Sequence, residues 1–280
     1  MTGPQIMGIL NVTPDSFSDG GVHFDPSNAL ASARDMVAHG AAFLDVGGES
    51  TRPGAVRVSD EEEISRTKPV IAAIKSELTS VVSIDTRKSA VAQAALDSGA
   101  GLVNDVSGFT FDKDLAALCA RMDVPVCVMH AQGDPATMQN NPNYDDVLLD
   151  VYDFLETQIA MLAEFGIPRT RVLADPGIGF GNTLEHTLRL LKNISLFHGL
   201  GCPILLGASR KRFIGALADE PQADRRATGS IAVALAAIAQ GVQVVRVHDV
   251  AETEFLGVCK HLRRAQPRTV PVVPSFGFSF

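Results

Sequence analysis

Eight short apolar runs recur along the chain: Gln5–Val12, Phe43–Gly47, Val81–Asp85, Leu102–Val106, Val124–His130, Arg171–Asp175, Pro203–Gly207 and Val242–His248. Each is continuous rather than alternating, the pattern of a parallel strand covered on both faces. Helical patterns fill the intervals. Ser59 and Glu62 open one as a capping box, with Ile64, Ile71, Ile74 and Leu78 on one face and Pro69 expected to kink it. Asp25-Pro26 starts another, and Gly40, Gly99, Gly166 and Gly241 each stand just beyond a helix. Eight units in 280 residues use about 35 residues each, close to a (β/α)8 TIM barrel. A doubly wound open sheet would usually carry a Gly-rich phosphate loop after its first strand. Here that strand runs into Asn11-Val12-Thr13-Pro14-Asp15-Ser16. The expectation is therefore an α/β chain, a single TIM-barrel domain over 1–265, followed by a tail at 266–280 with three prolines and Phe276, Phe278 and Phe280.

Composition narrows the function classes. With 24 basic and 32 acidic residues the net charge is −8, which argues against a broad nucleic-acid surface and allows anion binding only through a local cationic cluster. No apolar run reaches the roughly 18 residues of a membrane span, and no signal-like segment opens the chain, so a cytoplasmic location is the expectation. Cys119, Cys127, Cys202 and Cys259 form no CxxC pair and read as reduced filler.

The informative pattern is where polar residues sit. The strand runs end in Asn11, Asp45, Asp85, Asn104-Asp105, His130, Asp175, Ser209 and Arg246-Val247-His248. In a barrel these share one rim, the face where the connections after the strands assemble an active site. Arg52, Lys211, Arg246 and His248 supply donors suited to a phosphate or diphosphate. Asp85, Asn104 and Asp175 supply acceptors for the N–H groups of a flat heterocycle, with Lys211 able to donate to a ring carbonyl. Asn11 offers one oxygen to a hard cation such as Mg²⁺ arriving with a diphosphate. Ser209 has no GxSxG setting and reads as a hydrogen-bonding group, not a nucleophile. The long Gly/Pro/Ser-rich connections 13–24 and 49–58 read as lids or binding loops.

Several segments also resemble one family. Met7-Gly8-Ile9-Leu10-Asn11-Val12-Thr13-Pro14-Asp15-Ser16-Phe17-Ser18-Asp19-Gly20-Gly21 and Asp45-Val46-Gly47-Gly48-Glu49-Ser50-Thr51-Arg52-Pro53-Gly54 are similar to the first two motifs of bacterial dihydropteroate synthases. Ser83-Ile84-Asp85-Thr86, Asn104-Asp105, Asp175-Pro176-Gly177-Ile178-Gly179-Phe180, Gly207-Ala208-Ser209-Arg210-Lys211 and Arg246-Val247-His248-Asp249 follow in the family's order. The resemblance implies a barrel that joins 4-aminobenzoate to (7,8-dihydropterin-6-yl)methyl diphosphate in folate biosynthesis, with S_N1-like loss of diphosphate. It implies that Asp85, Asn104, Asp175 and Lys211 hold the pterin with Met129 packed beneath. Asn11, Arg52, Arg246 and His248 would hold diphosphate, with Mg²⁺ at Asn11. Thr51, Phe180 and Ser209 would line the 4-aminobenzoate pocket where sulfonamides act. Lys211, Arg246, His248, Arg52 and Asp85 are the expected catalytic set, and a homodimer is expected, loosely supported by the apolar Ile231–Ile238 helix. Two rivals remain: a methyltetrahydrofolate-dependent methyltransferase, which would not need the cationic set, and a catalytically silent pterin-binding paralogue.

Overall fold

The computed structural model describes residues 3–13, 26–50, 57–133 and 142–254. The strands are β1 (Gln5–Asn11), β2 (Ala41–Gly47), β3 (Val81–Asp85), β4 (Leu102–Asp105), β5 (Val126–Met129), β6 (Val172–Asp175), β7 (Leu205–Leu206) and β8 (Val244–Val247). The helices are α1 (Pro26–Ala38), α2 (Asp60–Glu77), α3 (Ser89–Asp97), α4 (Leu115–Arg121), α5 (Val147–Glu164), α6 (Leu184–Lys192), α7 (Arg212–Ala218), α8 (Ala227–Ala239) and α9 (Val250–Glu254). All strand pairs are parallel, in the order β6-β5-β4-β3-β2-β1-β8-β7. The Ala174–Ile204 bridge and the Ala174 N–H bond to the Pro203 carbonyl, 2.9 Å long, close the ring between β6 and β7. The architecture is the expected (β/α)8 barrel.

The strands are shorter than their apolar runs where proline intervenes. Pro125 and Pro203 have no N–H to give a ladder, so each only accepts, from Val103 and Ala174 respectively, and regular pairing begins later. Ser59 caps α2 by accepting from the Glu62 N–H at 3.2 Å. The other half of the expected box is diverted: the Glu62 carboxylate pairs with Arg66 instead. That helix continues through Pro69 as one element. Gly99 takes φ +103 beyond α3, the left-handed turn glycine allows, whereas Asp123 (φ +55) turns the chain after α4 without one.

Alternation along the strands divides the barrel interior into layers. Met7, Phe43, Leu102, Cys127, Leu173, Leu205 and Val244 form a buried apolar plug. Two residues further along their strands, on the same inward face, stand Ile9, Asp45, Asn104, Met129, Asp175, Gly207 and Arg246. The plug is thus the dry support of a polar floor. The opposite strand faces pack on the helices as a second, larger core. Cys119, Cys127 and Cys202 are buried free thiols. Among the described residues no helix is long and apolar enough to cross a membrane. The expected tail at 266–280, Cys259 and most of the connections 13–24 and 49–58 lie outside the described residues.

Candidate active site

Strand register brings the rim residues together. Asn11, Gly47, Asp85 and Asn104 are successive lateral partners across β1, β2, β3 and β4, and Met129 partners Asp175 across β5 and β6. Two interior glycines mark where side chains converge. A Cβ at Gly47 would stand 3.6 Å from Asp85 Oδ2 and 3.7 Å from Asn11 Oδ1. One at Gly207 would stand 3.6 Å from Asp175 Oδ2 and 3.9 Å from Arg246 Cδ. The barrel mouth therefore holds a bowl kept open by missing side chains, with acceptors and a guanidinium along its wall.

Charge pairing in the bowl is dense. Arg246 donates from Nε to Asp45 Oδ2 at 2.6 Å and from Nη2 to Asp85 Oδ2 at 2.7 Å. Asn104 Nδ2 donates to the same Asp45 oxygen at 3.0 Å. Burial pushes the Asp85 carboxyl up to about 7 against the pull of Arg246, with Asp45, Glu63 and Asp105 adding to the rise. Asp175 is likewise raised by burial, opposed by Lys211 and by the Gly177 N–H on its Oδ1 at 2.8 Å. Burial lowers the Lys211 ammonium to about 7, and Asp175 opposes the fall. Lys211 donates to the Ile178 carbonyl, and its Nζ lies 4.3 Å from the centre of the Phe180 ring, a cation–π contact. Ser209 Oγ pairs with His248 Nδ1 at 3.0 Å and accepts the His248 N–H at 3.2 Å, which fixes the imidazole at the rim.

Of the expected site residues, Asn11, Asp85, Asn104, Met129, Asp175, Phe180, Ser209, Lys211, Arg246 and His248 all lie at the strand ends or the turns just beyond them. Thr51 and Arg52 lie outside the described residues. Arg246, read from the sequence among the diphosphate donors, is held on the two carboxylates of the floor. Not every polar strand end faces the bowl. Asp105, one residue past Asn104, turns away and accepts the N–H groups of Ser107 and Phe109 at 2.7 Å each, shaping its own loop. His130 packs edge-on against Phe154 (5.1 Å between centroids), and burial lowers its ring to about 4, so it is a neutral aromatic wedge.

Two residues contribute in ways that the sequence does not assign: Asp45 stands among the rim residues there without a role, and Arg210 has none. Asp45 is fully buried and carries both Arg246 and Asn104; its signal was the Phe43, Asp45, Gly47 alternation. Arg210 grips Asp249 through Nε at 3.0 Å and through a closer Nη2 contact. Its φ of +58 is unusual for a non-glycine residue and sits between Ser209 and Lys211. The brace ties the turn after β7 to the turn after β8. Among the described residues no group of three or more His, Cys, Asp or Glu could hold a metal ion.

The pterin binding enzyme family model matches residues 7–248, from the first strand to just past the last. The dihydropteroate synthase of Escherichia coli (strain K12) is 45% identical over 253 residues, covering 90% of this chain and 89% of that protein. The chain belongs to the dihydropteroate synthase family. Solved structures of the family agree with the fold. A Yersinia pestis dihydropteroate synthase with a sulfonamide drug matches at a TM-score of 0.89 and 42% identity, over 95% of this chain and 96% of that one. The Xanthomonas albilineans dihydropteroate synthase with 4-aminobenzoic acid matches at 0.89 and 41%, over 95% and 94%.

Proposed function

We propose that this chain condenses 4-aminobenzoate with (7,8-dihydropterin-6-yl)methyl diphosphate, releasing diphosphate and forming 7,8-dihydropteroate for folate biosynthesis. The observation that carries the reading is the convergence of Asp175, Arg246 and Lys211 on one buried bowl beside Asp85 and Asn104. Asp85, Asn104 and Asp175 accept from the ring N–H groups, Lys211 donates to the ring carbonyl, and Met129 packs beneath. Arg246, His248 and Arg52 hold the diphosphate; Thr51, Phe180 and Ser209 line the arylamine pocket, where sulfonamides compete.

The methylene C–O bond breaks first, in an S_N1-like step, and its electron pair leaves with the diphosphate. The cation left behind is delocalised into the pterin, and the fixed acidic groups Asp85 and Asp175 would stabilise it electrostatically in their ionised form. The neutral amine of 4-aminobenzoate then forms the C–N bond, and the acidic arylammonium that results passes its proton to solvent. No strong base is needed, which accords with the lack of a nucleophile–base pair in the sequence. Phe180, held under the Lys211 ammonium, offers an apolar wall against water.

Mg²⁺ fits the donor set at the rim. Asn11 Oδ1 is a hard oxygen that, like Asp85 Oδ2, borders the space left by Gly47, and it is suited to a cation that keeps most of its ligands from water and phosphate. When bound there it would neutralise charge on the diphosphate. We assign Asn11 as its protein ligand. A homodimer is part of the same reading: Leu217 on α7 and Leu235 on α8 are exposed apolar side chains on neighbouring helices. A cytoplasmic location accords with the buried free thiols.

The methyltransferase rival has no use for a cationic rim aimed at diphosphate. Asp175→Asn tests the pterin assignment. Titration calorimetry should record a loss of about 2–3 kcal/mol in pterin affinity, the cost of mispairing a buried charged hydrogen bond. Unchanged affinity would count against it.

A further inference from the structure

We propose that Asp45 is a positioning residue for this reaction, one buried carboxylate oxygen that holds Arg246 and Asn104 together and so couples the pterin floor to the diphosphate cation. The proposal rests on the function given above and extends it to a residue that does not touch substrate.

Asp45 lies mid-strand in β2, two residues past Phe43 of the apolar plug and two before Gly47, and is 0% exposed. A carboxylate there has no water to solvate it and must be compensated by a fixed cation. That cation is Arg246, whose Nε lies 2.6 Å from Asp45 Oδ2. The same oxygen takes the Asn104 amide at 3.0 Å, which orients the Asn104 side chain.

Asp85 also holds Arg246, yet the two carboxylates are not equivalent. Asp85 lies one layer nearer the mouth, in register with Gly47 at the end of its strand. There it is required to accept from the incoming ring, and its hold on Arg246 must be shared or surrendered. Asp45 stays below the ring, on the plug side. With Nε and Nη2 engaged the guanidinium plane is set, and among the described residues Nη1 carries no hydrogen bond. The nitrogen left for an anion is therefore aimed by Asp45 throughout the cycle.

The test uses the full chain with Asp45→Asn, Arg246→Met and the double variant, following diphosphate release and dihydropteroate formation. Asp45→Asn should lower kcat about 100-fold and raise the KM for the pterin diphosphate about tenfold. The KM for 4-aminobenzoate should stay within roughly twofold, because Phe180 and Ser209 are held by other contacts. If Asp45 acts through Arg246, the double variant should turn over within roughly threefold of Arg246→Met alone. An Asp45→Asn enzyme within roughly threefold of the parent overturns the proposal, as does a double variant that loses the product of the two single losses. Should loss of the Asp45 charge, with only Asp85 left to hold Arg246, prevent Asp45→Asn from folding, the double variant set against Arg246→Met alone carries the comparison by the same criterion. An inactive parent overturns the proposed function and this inference with it; an active parent with an indifferent Asp45→Asn overturns the inference alone.

Discussion

Arg246 Nη2 and Asp85 Oδ2 stand 2.7 Å apart inside the barrel mouth, yet the ion pair does not overcome the cost of burying the carboxylate. Asp85 titrates near 7 in the folded chain, against 3.8 for an ordinary aspartate. Between those values the folded state carries a proton that the unfolded state has lost. The stabilisation from that proton is complete below about 4 and disappears as pH rises through about 7. Urea unfolding of the parent and of Asp85→Asn from pH 4 to pH 8 checks the sign. The parent should lose stability relative to the variant across this window; parallel curves would contradict the burial argument.

The Arg210–Asp249 brace should matter more for catalysis than for stability. It is partly exposed on the arginine side, so its loss should cost about 1 kcal/mol. Asp249→Ala releases the turn that presents Ser209 and Lys211 on one side and His248 on the other. Turnover should fall about tenfold while the thermal midpoint moves by only a few degrees. A variant that loses stability in proportion to activity would assign the brace to the fold instead.

Gly177 tolerates no side chain. Its φ is +71, and a Cβ would fall 1.8 Å from the His130 carbonyl oxygen, so backbone must move. Gly177→Ala should cost about 3 kcal/mol or more by thermal unfolding. Because the Gly177 N–H is a partner of Asp175, pterin affinity should fall with it. Retained affinity and stability would contradict the geometry.

At the two described ends of the second connection, Lys88 donates to Glu63 at 2.7 Å and to the Val58 carbonyl at 2.6 Å, and Glu49 accepts the Val58 N–H at 2.9 Å. Lys88 and Glu63 are buried, and burial raises the Glu63 carboxyl. Lys88→Met strands that acid and should cost about 3–5 kcal/mol. Lys88→Met with Glu63→Leu removes both charges and should recover most of the loss in denaturant unfolding. Equal losses in the two variants would show that the pair is not the source.

Much of this molecule was legible before any coordinates. The apolar runs located every strand of the barrel, because strands covered on both faces have no reason to alternate. The runs overshot at Pro125 and Pro203, where apolar character continues but the ladder lacks a donor. Polarity at the strand ends located the mouth but could not sort it. Asn104 and Asp105 are adjacent, and only register makes the first a floor residue and the second a loop former. Counting by twos from Leu102 of the plug separates them, though nothing in the local sequence announces that Leu102 faces inward. The Arg246–Asp85 pair joins residues 161 positions apart and depends on barrel closure, which no local pattern encodes. Thus a cation read as belonging to the diphosphate end is anchored on two buried carboxylates, Asp45 and Asp85, inside the barrel mouth.

The most direct measurement mixes the purified chain with (7,8-dihydropterin-6-yl)methyl diphosphate and Mg²⁺, with and without 4-aminobenzoate, and follows diphosphate and dihydropteroate together. The two products should appear in equal amounts, over many turnovers, when 4-aminobenzoate is present. Pterin binding by calorimetry with no diphosphate release under those conditions would contradict the account and leave a silent pterin-binding protein.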